Sequence, residues 1–392
     1  MSLRRLTTKK TLNVLGLNSG TSADSLDMAL MQVSATRTKY LAGQTGRYSA
    51  SLRQLILDVA DSDRVNPDDL IYLDNYLGRY YGEKAARFIR NLSQQGRRVD
   101  AIASHGQTVR HLPNKIKKAS VALGGTLQLG SADFIAAATA KVVVSDFRQA
   151  DIALGGEGAP ITVAAMHRLF ADPGESRLII NIGGMSNYFY FPSKRSRLSS
   201  GAADCGPGNS LSDILSREIF GERFDRGGRR ARRGVACEKM LLSALMQPFY
   251  ASSTVSTGRE LFGVKMIRQM VKQARRLRLS DDDLFATVAA LTVQSIANKV
   301  GPLVRADKSL SKLYLTGGGK HNIFFVTGLK QQFPELNVLP IDDLGIDGDY
   351  VEAAAYAVMG QACLRSQVSV KTGEQRKGPK PVLGKITQPP KR

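Results

Sequence analysis

From Asn13 the chain runs Asn-Val-Leu-Gly-Leu, breaks into small and hydroxylated residues at Ser19-Gly-Thr-Ser-Ala-Asp24, and resumes as Leu26, Met28 and Leu30. An apolar run, a polar break and a return at every second position predict strand, tight turn, strand. The period then changes. Across Pro67–Gln95, Leu70, Leu73, Leu77, Tyr80, Tyr81, Phe88 and Leu92 recur at three or four, which predicts one long amphipathic helix. Val99-Asp-Ala-Ile-Ala-Ser104 predicts a strand ending in His105-Gly-Gln-Thr108. Lys141-Val-Val-Val-Ser-Asp-Phe-Arg148 predicts a second, also delivering polar groups at its end, where clefts form in α/β proteins. Arg177-Leu-Ile-Ile-Asn-Ile-Gly-Gly-Met-Ser-Asn187, continuing through Tyr188 to Phe191, repeats the opening hairpin. Helices are expected at 209–220, 235–246, 263–277 and 281–300, the last opened by Ser280 and Asp283 in capping-box spacing. Lys312-Leu-Tyr-Leu-Thr-Gly-Gly-Gly319 predicts a strand feeding a glycine turn before a helix. An alanine-rich helix from Gly348 to Leu364 closes the pattern, and the Pro, Gly and Lys content beyond it predicts a mostly extended or disordered tail.

Strands alternating with helices over 392 residues, 43% of them hydrophobic, indicate an α/β protein of two domains. No apolar run approaches the roughly 20 residues that span a bilayer, and the basic N-terminus leads into a strand, so a cytoplasmic protein without a membrane partner is expected. Cys205, Cys237 and Cys363 are widely separated and lack paired Cys/His spacing, which argues against a disulfide framework or a structural zinc site. The net charge of +21 concentrates in Arg226–Gly234, Lys272–Arg278 and the tail from Lys371 to Arg392. These runs carry no aromatics and the chain no tryptophan, so they are expected to be solvated faces rather than a specific nucleic-acid site.

Three strand-end glycine turns hold the candidate chemistry. In the first, Gly20 permits close backbone approach, Ser19, Thr21 and Ser22 add hydroxyls, and the turn's N–H groups can form an anion-binding concavity, with Asp24 or Asp27 orienting a hydrated cation. The others are Gly183-Gly184 and Gly317-Gly318-Gly319. For the first turn the alternative is an ordinary hairpin. None matches the P-loop or the dinucleotide fingerprint. Two hairpin phosphate loops with a third turn for a nucleoside suit, by fold analogy, the actin, hexokinase and Hsp70 superfamily.

The strings Ser19-Gly-Thr-Ser-Ala-Asp24, Ser104-His-Gly-Gln-Thr-Val109, Asp146-Phe-Arg148, Asp151-Ile-Ala-Leu-Gly-Gly156, Gly158-Ala-Pro160, Asn181-Ile-Gly-Gly184, Gly206-Pro-Gly-Asn209, Ser256-Thr-Gly-Arg-Glu260 and Thr316-Gly-Gly-Gly319 occur in order. Together they resemble the anhydro-N-acetylmuramic acid kinase family from about Leu12 to about Leu364, and Pro381-Val-Leu-Gly-Lys-Ile386 resembles its C-terminal signature. The resemblance implies an α/β, two-lobe actin-like ATPase (ribonuclease H-like) fold with an inter-lobe nucleotide cleft. Lobe I is expected at 11–150 plus 350–366, lobe II at 151–349, and a tail at 367–392. It further implies a homodimer using ATP and Mg²⁺ to cleave the 1,6-anhydro bond of 1,6-anhydro-N-acetylmuramic acid and phosphorylate O6 in cell-wall recycling.

That chemistry needs a base for the attacking water. Asp204, in Ala203-Asp-Cys-Gly-Pro-Gly-Asn209, matches the family's Asp-Thr-Gly-Pro-Gly-Asn and is the candidate; the plainer alternative is that Asp204 ends a strand while Asn209 caps a helix. Glu352 resembles the family's second functional carboxylate, and is also a first-turn glutamate favoured by the helix dipole. For the sugar, Arg148 can pair with the lactyl carboxylate, Asp151 can accept hydroxyl hydrogens, and His105 and Gln107 occupy a strand-end turn; Arg148 can instead pair with Asp146 or Asp151. Three departures stand out. Ser25 replaces a loop glycine, which would strain the loop if that position needs positive φ; Cys205 replaces threonine; Asp347 and Tyr350 alter the Gly-Ile-x-Gly-Asp-Asp region. The rivals are a kinase for another anhydro sugar such as levoglucosan, which offers Arg148 no carboxylate, and a non-catalytic protein binding anionic partners.

Overall fold

The computed structural model describes residues 3–62, 64–118, 120–251, 261–368 and 379–391; the Ser256–Glu260 string and positions 371–378 of the basic tail lie outside them. The chain forms two compact units. The first comprises residues up to Leu169 together with those from Tyr350, the second Phe170–Asp349.

In the first unit, β1 (Leu12–Ser19), β2 (Ser25–Val33) and β3 (Thr38–Arg47) form an antiparallel meander. Then β4 (Ala101–Lys118) and β6 (Val142–Ser145) add in parallel beyond β1, while β5 (Val121–Leu129) pairs antiparallel with β4. In the second, β7 (Arg177–Ile182), β8 (Met185–Phe191) and β9 (Gly201–Pro207) are again antiparallel, and β10 (Lys312–Thr316) and β11 (Asn337–Pro340) again extend the sheet in parallel beyond β7. The arrangement is therefore present twice, as expected for a two-lobe ribonuclease H-like chain.

Alternation along β1 explains how the first sheet is covered. Leu15 and Leu17 are fully buried and share a core with Leu26, Met28 and Leu30 of β2 and with Leu73, Leu77, Tyr81 and Phe88 of the helix Pro67–Gln94. That helix starts where the sequence says: Asn66 Oδ1 accepts the Asp68 N–H at 3.1 Å and Pro67 occupies the first turn. The intervening Gly16 faces the helix Val351–Leu364, where a Cβ would overlap the Ala353 carbonyl oxygen. Gly16→Ala is thus expected to cost about 3 kcal/mol and to displace the helix that carries Glu352. The check is a fall in the denaturant midpoint at unchanged m-value; a midpoint equal to the parent's would show that the helix moves aside freely.

In the second unit, Leu178, Ile180 and Ile182 of β7 pack with Leu211, Phe285, Val288, Ile296 and Phe325. The helix Asp281–Ala306 carries both capping-box bonds between Ser280 and Asp283 and continues past Pro302, beyond the expected end at 300.

One boundary differs from expectation. Residues 151–169, placed by sequence with the second lobe, belong to the first unit: Arg168 donates to Gln361 Oε1 at 2.9 Å and to the Ser34 carbonyl. The tail, expected to be mostly extended or disordered, is extended at its described end and pairs with the sheet. Lys385–Thr387 forms β12, antiparallel to β6 at the sheet edge.

Candidate active site

The first unit gathers the Ser19 turn, His105, the Arg148 loop and Glu352. The strand end expected at His105 is not found: His105 and Gln107 lie inside β4, which runs on to Lys118, and Gly106 between them takes φ 79° where the β1–β4 ladder shifts register. Ser19 and Gln107 are buried and spend their side chains on the turn itself. Ser19 Oγ donates to Gln107 Oε1 at 2.5 Å and accepts from Tyr48 Oη at 2.8 Å, while Gln107 Nε2 donates to the Gly20 carbonyl at 3.2 Å. What the turn presents outward is Gly20, Thr21 and Ser22, the last donating to Asp24 Oδ1 at 2.8 Å. Asp27 accepts from Thr45 Oγ1 at 2.8 Å. The expected strain at Ser25 is absent: it is the first residue of β2, and the left-handed position of this loop is Ala23, at φ 51°. The sequence motif shows that the turn is unusual but not which residue carries the positive φ.

Glu352 stands exposed in the first turn of its helix, where Asn18 Nδ2 donates to its Oε2 at 2.7 Å. Asn18, buried at the end of β1, was not singled out from sequence; the signal was a polar residue closing an apolar strand immediately before the turn.

Arg148 and His105 form one assembly. Arg148 Nε donates to His105 Nε2 at 3.0 Å and Nη1 to the Gly158 carbonyl at 2.7 Å. That bond assigns the imidazole hydrogen to Nδ1. Burial and then the neighbouring guanidinium hold the His105 pKa well below the usual histidine value, so the ring is neutral and can accept the bond. Its face stacks on Tyr356 at 4.5 Å. Asp151 is buried and accepts the Gly158 N–H at 2.9 Å, so it builds the loop that Arg148 also holds; Asp146 is ion-paired with Lys385 at 2.5 Å. A cavity of about 200 Å³ opens beside this assembly, lined by Ser104, His105, Gln128, Asp146 and Gln149 among others. Ser104 Oγ is buried there without a hydrogen-bond partner among the described residues, a condition a polar ligand would relieve.

In the second unit, the Gly183-Gly184 and Gly317–Gly319 turns lie against each other. Gly317 has φ 75°, and a Cβ there would meet Asn181 Oδ1 and, at 2.8 Å, the Ile182 carbonyl oxygen, so only glycine fits. Asn209 Nδ2 donates to the Ile182 and Gly183 carbonyls at 3.0 and 3.1 Å, and Thr292 Oγ1 donates to the Gly208 carbonyl at 2.9 Å. Asn209 therefore stitches strand, turn and helix together and makes no side-chain cap bond.

Asp204 does not end its strand. It lies within β9 opposite Asn187, and the ladder shift between Ser186 and Asn187 leaves Cys205 as the extra, bulged residue. A bulge re-aims the neighbouring side chain, here a half-buried carboxylate. Cys205 is buried; burial first, and then the Asp204 charge, push its thiol pKa far up, so this replacement for threonine is a neutral packing group. The other departures also have partners: Asp347 lies 3.8 Å from Lys320, whose stronger contact is with Asp349 at 3.1 Å, and Tyr350 stacks on Tyr40 at 6.3 Å.

The model of the anhydro-N-acetylmuramic acid kinase family matches residues 12–387 of this chain. The anhydro-N-acetylmuramic acid kinase of Caldanaerobacter subterraneus subsp. tengcongensis is 33% identical over 364 residues, covering 91% of this chain and 92% of that relative. The one from Trichormus variabilis is 36% identical over 358 residues, covering 88% and 89%. Among solved structures, the activator of the 2-hydroxyisocaproyl-CoA dehydratase from Clostridium difficile with bound ADPNP is similar at a TM-score of 0.41 and 10% identity, over 91% of this chain and 96% of that one.

Proposed function

The chain belongs to the anhydro-N-acetylmuramic acid kinase family, and from that premise we propose that it opens the 1,6-anhydro ring of 1,6-anhydro-N-acetylmuramic acid with water and phosphorylates O6 from ATP. The products are N-acetylmuramate 6-phosphate and ADP, a step of peptidoglycan recycling. The observation that carries this reading is the family match over residues 12–387, which takes in both units and every candidate residue.

Water adds to the anomeric carbon, the bond from that carbon to O6 breaks, and O6 takes the γ-phosphoryl group. Asp204 accepts the proton from water, a role that suits a carboxylate aimed by a strand bulge. Arg148 pairs with the lactyl carboxylate, pre-oriented by its bonds to His105 and Gly158. Glu352, held by Asn18, accepts a sugar hydroxyl. Gly20, Thr21, Ser22, Gly183 and Gly184 serve the phosphates and Gly317–Gly319 the nucleoside. Mg²⁺, when bound, neutralises charge on the transferring phosphate. Among the described residues no cluster of three His, Cys, Asp or Glu could hold it, so ATP oxygens and water would supply most of its ligands, with Asp24 or Asp27 as the protein's share. We also place the protein in the cytoplasm as a homodimer, on the family resemblance; among the described residues no helix is long and apolar enough to cross a membrane.

Phosphorus NMR of the protein with ATP, Mg²⁺ and the anhydro sugar tests the reading, with levoglucosan run in parallel. A sugar 6-phosphate signal with the amino sugar alone is expected. A signal with levoglucosan only, or with neither sugar, would reject the substrate assignment.

A further inference from the structure

The C-terminal segment returns to the sheet beside the Arg148 loop. In β12, Lys385, Ile386 and Thr387 pair with Ser145, Val144 and Val143 of β6, a strand of only four residues. Just ahead of β12, Leu383 is buried, and a Cβ at Gly384 would lie 2.7 Å from Val144, 3.2 Å from Cys363 and 3.2 Å from Phe147. Beyond Ser145 the chain turns sharply. Asp146 takes a left-handed backbone conformation, φ 53°, and its carboxylate meets Lys385 Nζ at 2.5 Å. A non-glycine residue persists in that region only where its surroundings over-determine it. Two residues on is Arg148, and Phe147 packs at 5.6 Å on Tyr356, the ring that stacks on His105.

We infer that residues 381–387 act as a clasp on the proposed sugar site, with Lys385 a positioning residue that holds Asp146 in its turn and thereby aims Arg148. This rests on the reading of Arg148 as the carboxylate-binding group. An exposed ion pair on a free side chain contributes little. Here the ladder already fixes the lysine backbone next to its partner, so the pair has only the exposed lysine side chain to order and the rest of its energy bears on the turn. Asp146 also lines the 200 Å³ cavity beside His105, so loosening the turn alters both the guanidinium's direction and the cavity wall.

The test uses the full-length protein and three variants: Lys385→Met, which keeps the stem and removes the charge, Lys385→Arg, and a chain ending at residue 378. In the absence of ligand, Lys385→Met is expected to raise hydrogen exchange of the amides at 145–149 about tenfold while leaving the two cores protected. In turnover it is expected to raise KM for the anhydro sugar about tenfold with KM for ATP unchanged, because a small misplacement of an orienting group is felt by the substrate it orients. Lys385→Arg should restore both values, and the truncated chain should show the larger effect, reversed by adding the peptide 379–392. Unchanged exchange at 145–149 in Lys385→Met overturns the clasp whatever the substrate is. A parent protein that fails to phosphorylate the sugar while Lys385→Met loosens 145–149 leaves the clasp standing and rejects the substrate reading. A loss of kcat with both KM values unchanged counts against positioning of the sugar.

Discussion

Asp204→Asn is expected to lower kcat by about 10³-fold, with KM for ATP within about threefold of the parent, because an amide of nearly the same shape cannot take the proton of the attacking water. The local structure favours a clean comparison. Asp204 lies in a hydrogen-bonded strand, not at a fraying end, and the bulge is built by its neighbours Cys205 and Gly206, the latter at φ 131°. The thiol of Cys205, already held neutral chiefly by burial, loses a neighbouring negative charge in the variant, which leaves it neutral. Single-turnover phosphoryl transfer with saturating sugar and ATP is the measurement, with far-UV circular dichroism as the check on folding. If the asparagine variant keeps more than about a tenth of kcat, the base is another group or the water needs none.

Arg148→Met should act on the other kinetic constant. We expect KM for the anhydro sugar to rise about 100-fold, near 2.7 kcal/mol, the scale of a charge-assisted pair to a carboxylate. Arg148→Lys should recover little, because an ammonium cannot donate to His105 and Gly158 and still present a planar fork to the ligand. The diagnostic is a matched sugar without the carboxylate: its binding, measured by calorimetry, should weaken no more than about threefold on the same substitution. An equal loss for both sugars would mean that Arg148 only holds His105 of β4 in place and reads no charge. Either result constrains the rival reading of a neutral-sugar kinase.

The local signals in this chain were strong where local geometry is sufficient. The period-two return at Leu26, Met28 and Leu30 became β2, and the three-and-four repeat from Leu70 to Leu92 became a helix from Pro67 to Gln94, within one residue of expectation at its end. The second hairpin, read from Arg177 to Phe191, became β7 and β8, and the two hairpins proved to be the starts of sheets that share a five-strand order, to which the first adds β5 and β12. These succeed because a strand's alternation and a helix's cap depend on residues within a few positions of each other.

Other features needed contacts across the chain. The break between the units fell after Leu169 because Arg168 is bonded to Gln361, 193 positions away, which no compositional shift near 150 could announce. Charge and proline content pointed to a mostly extended or disordered end of the chain; three residues of it are extended, and only the fold shows that they pair with a sheet edge. Ser19 and Gln107 have the right chemistry to meet a ligand, but folding turned them onto each other; the left-handed position of the loop falls on Ala23, not on Ser25. By itself the sequence determined the elements, the α/β class, the family and the residue types available for catalysis, since these follow from short-range pattern and ordered motifs. Tertiary structure decided which of those side chains remain available: burial, a left-handed backbone at Asp146 and a bulge at Cys205 are set by partners far away in the chain, and only the folded arrangement brings those partners within hydrogen-bonding range.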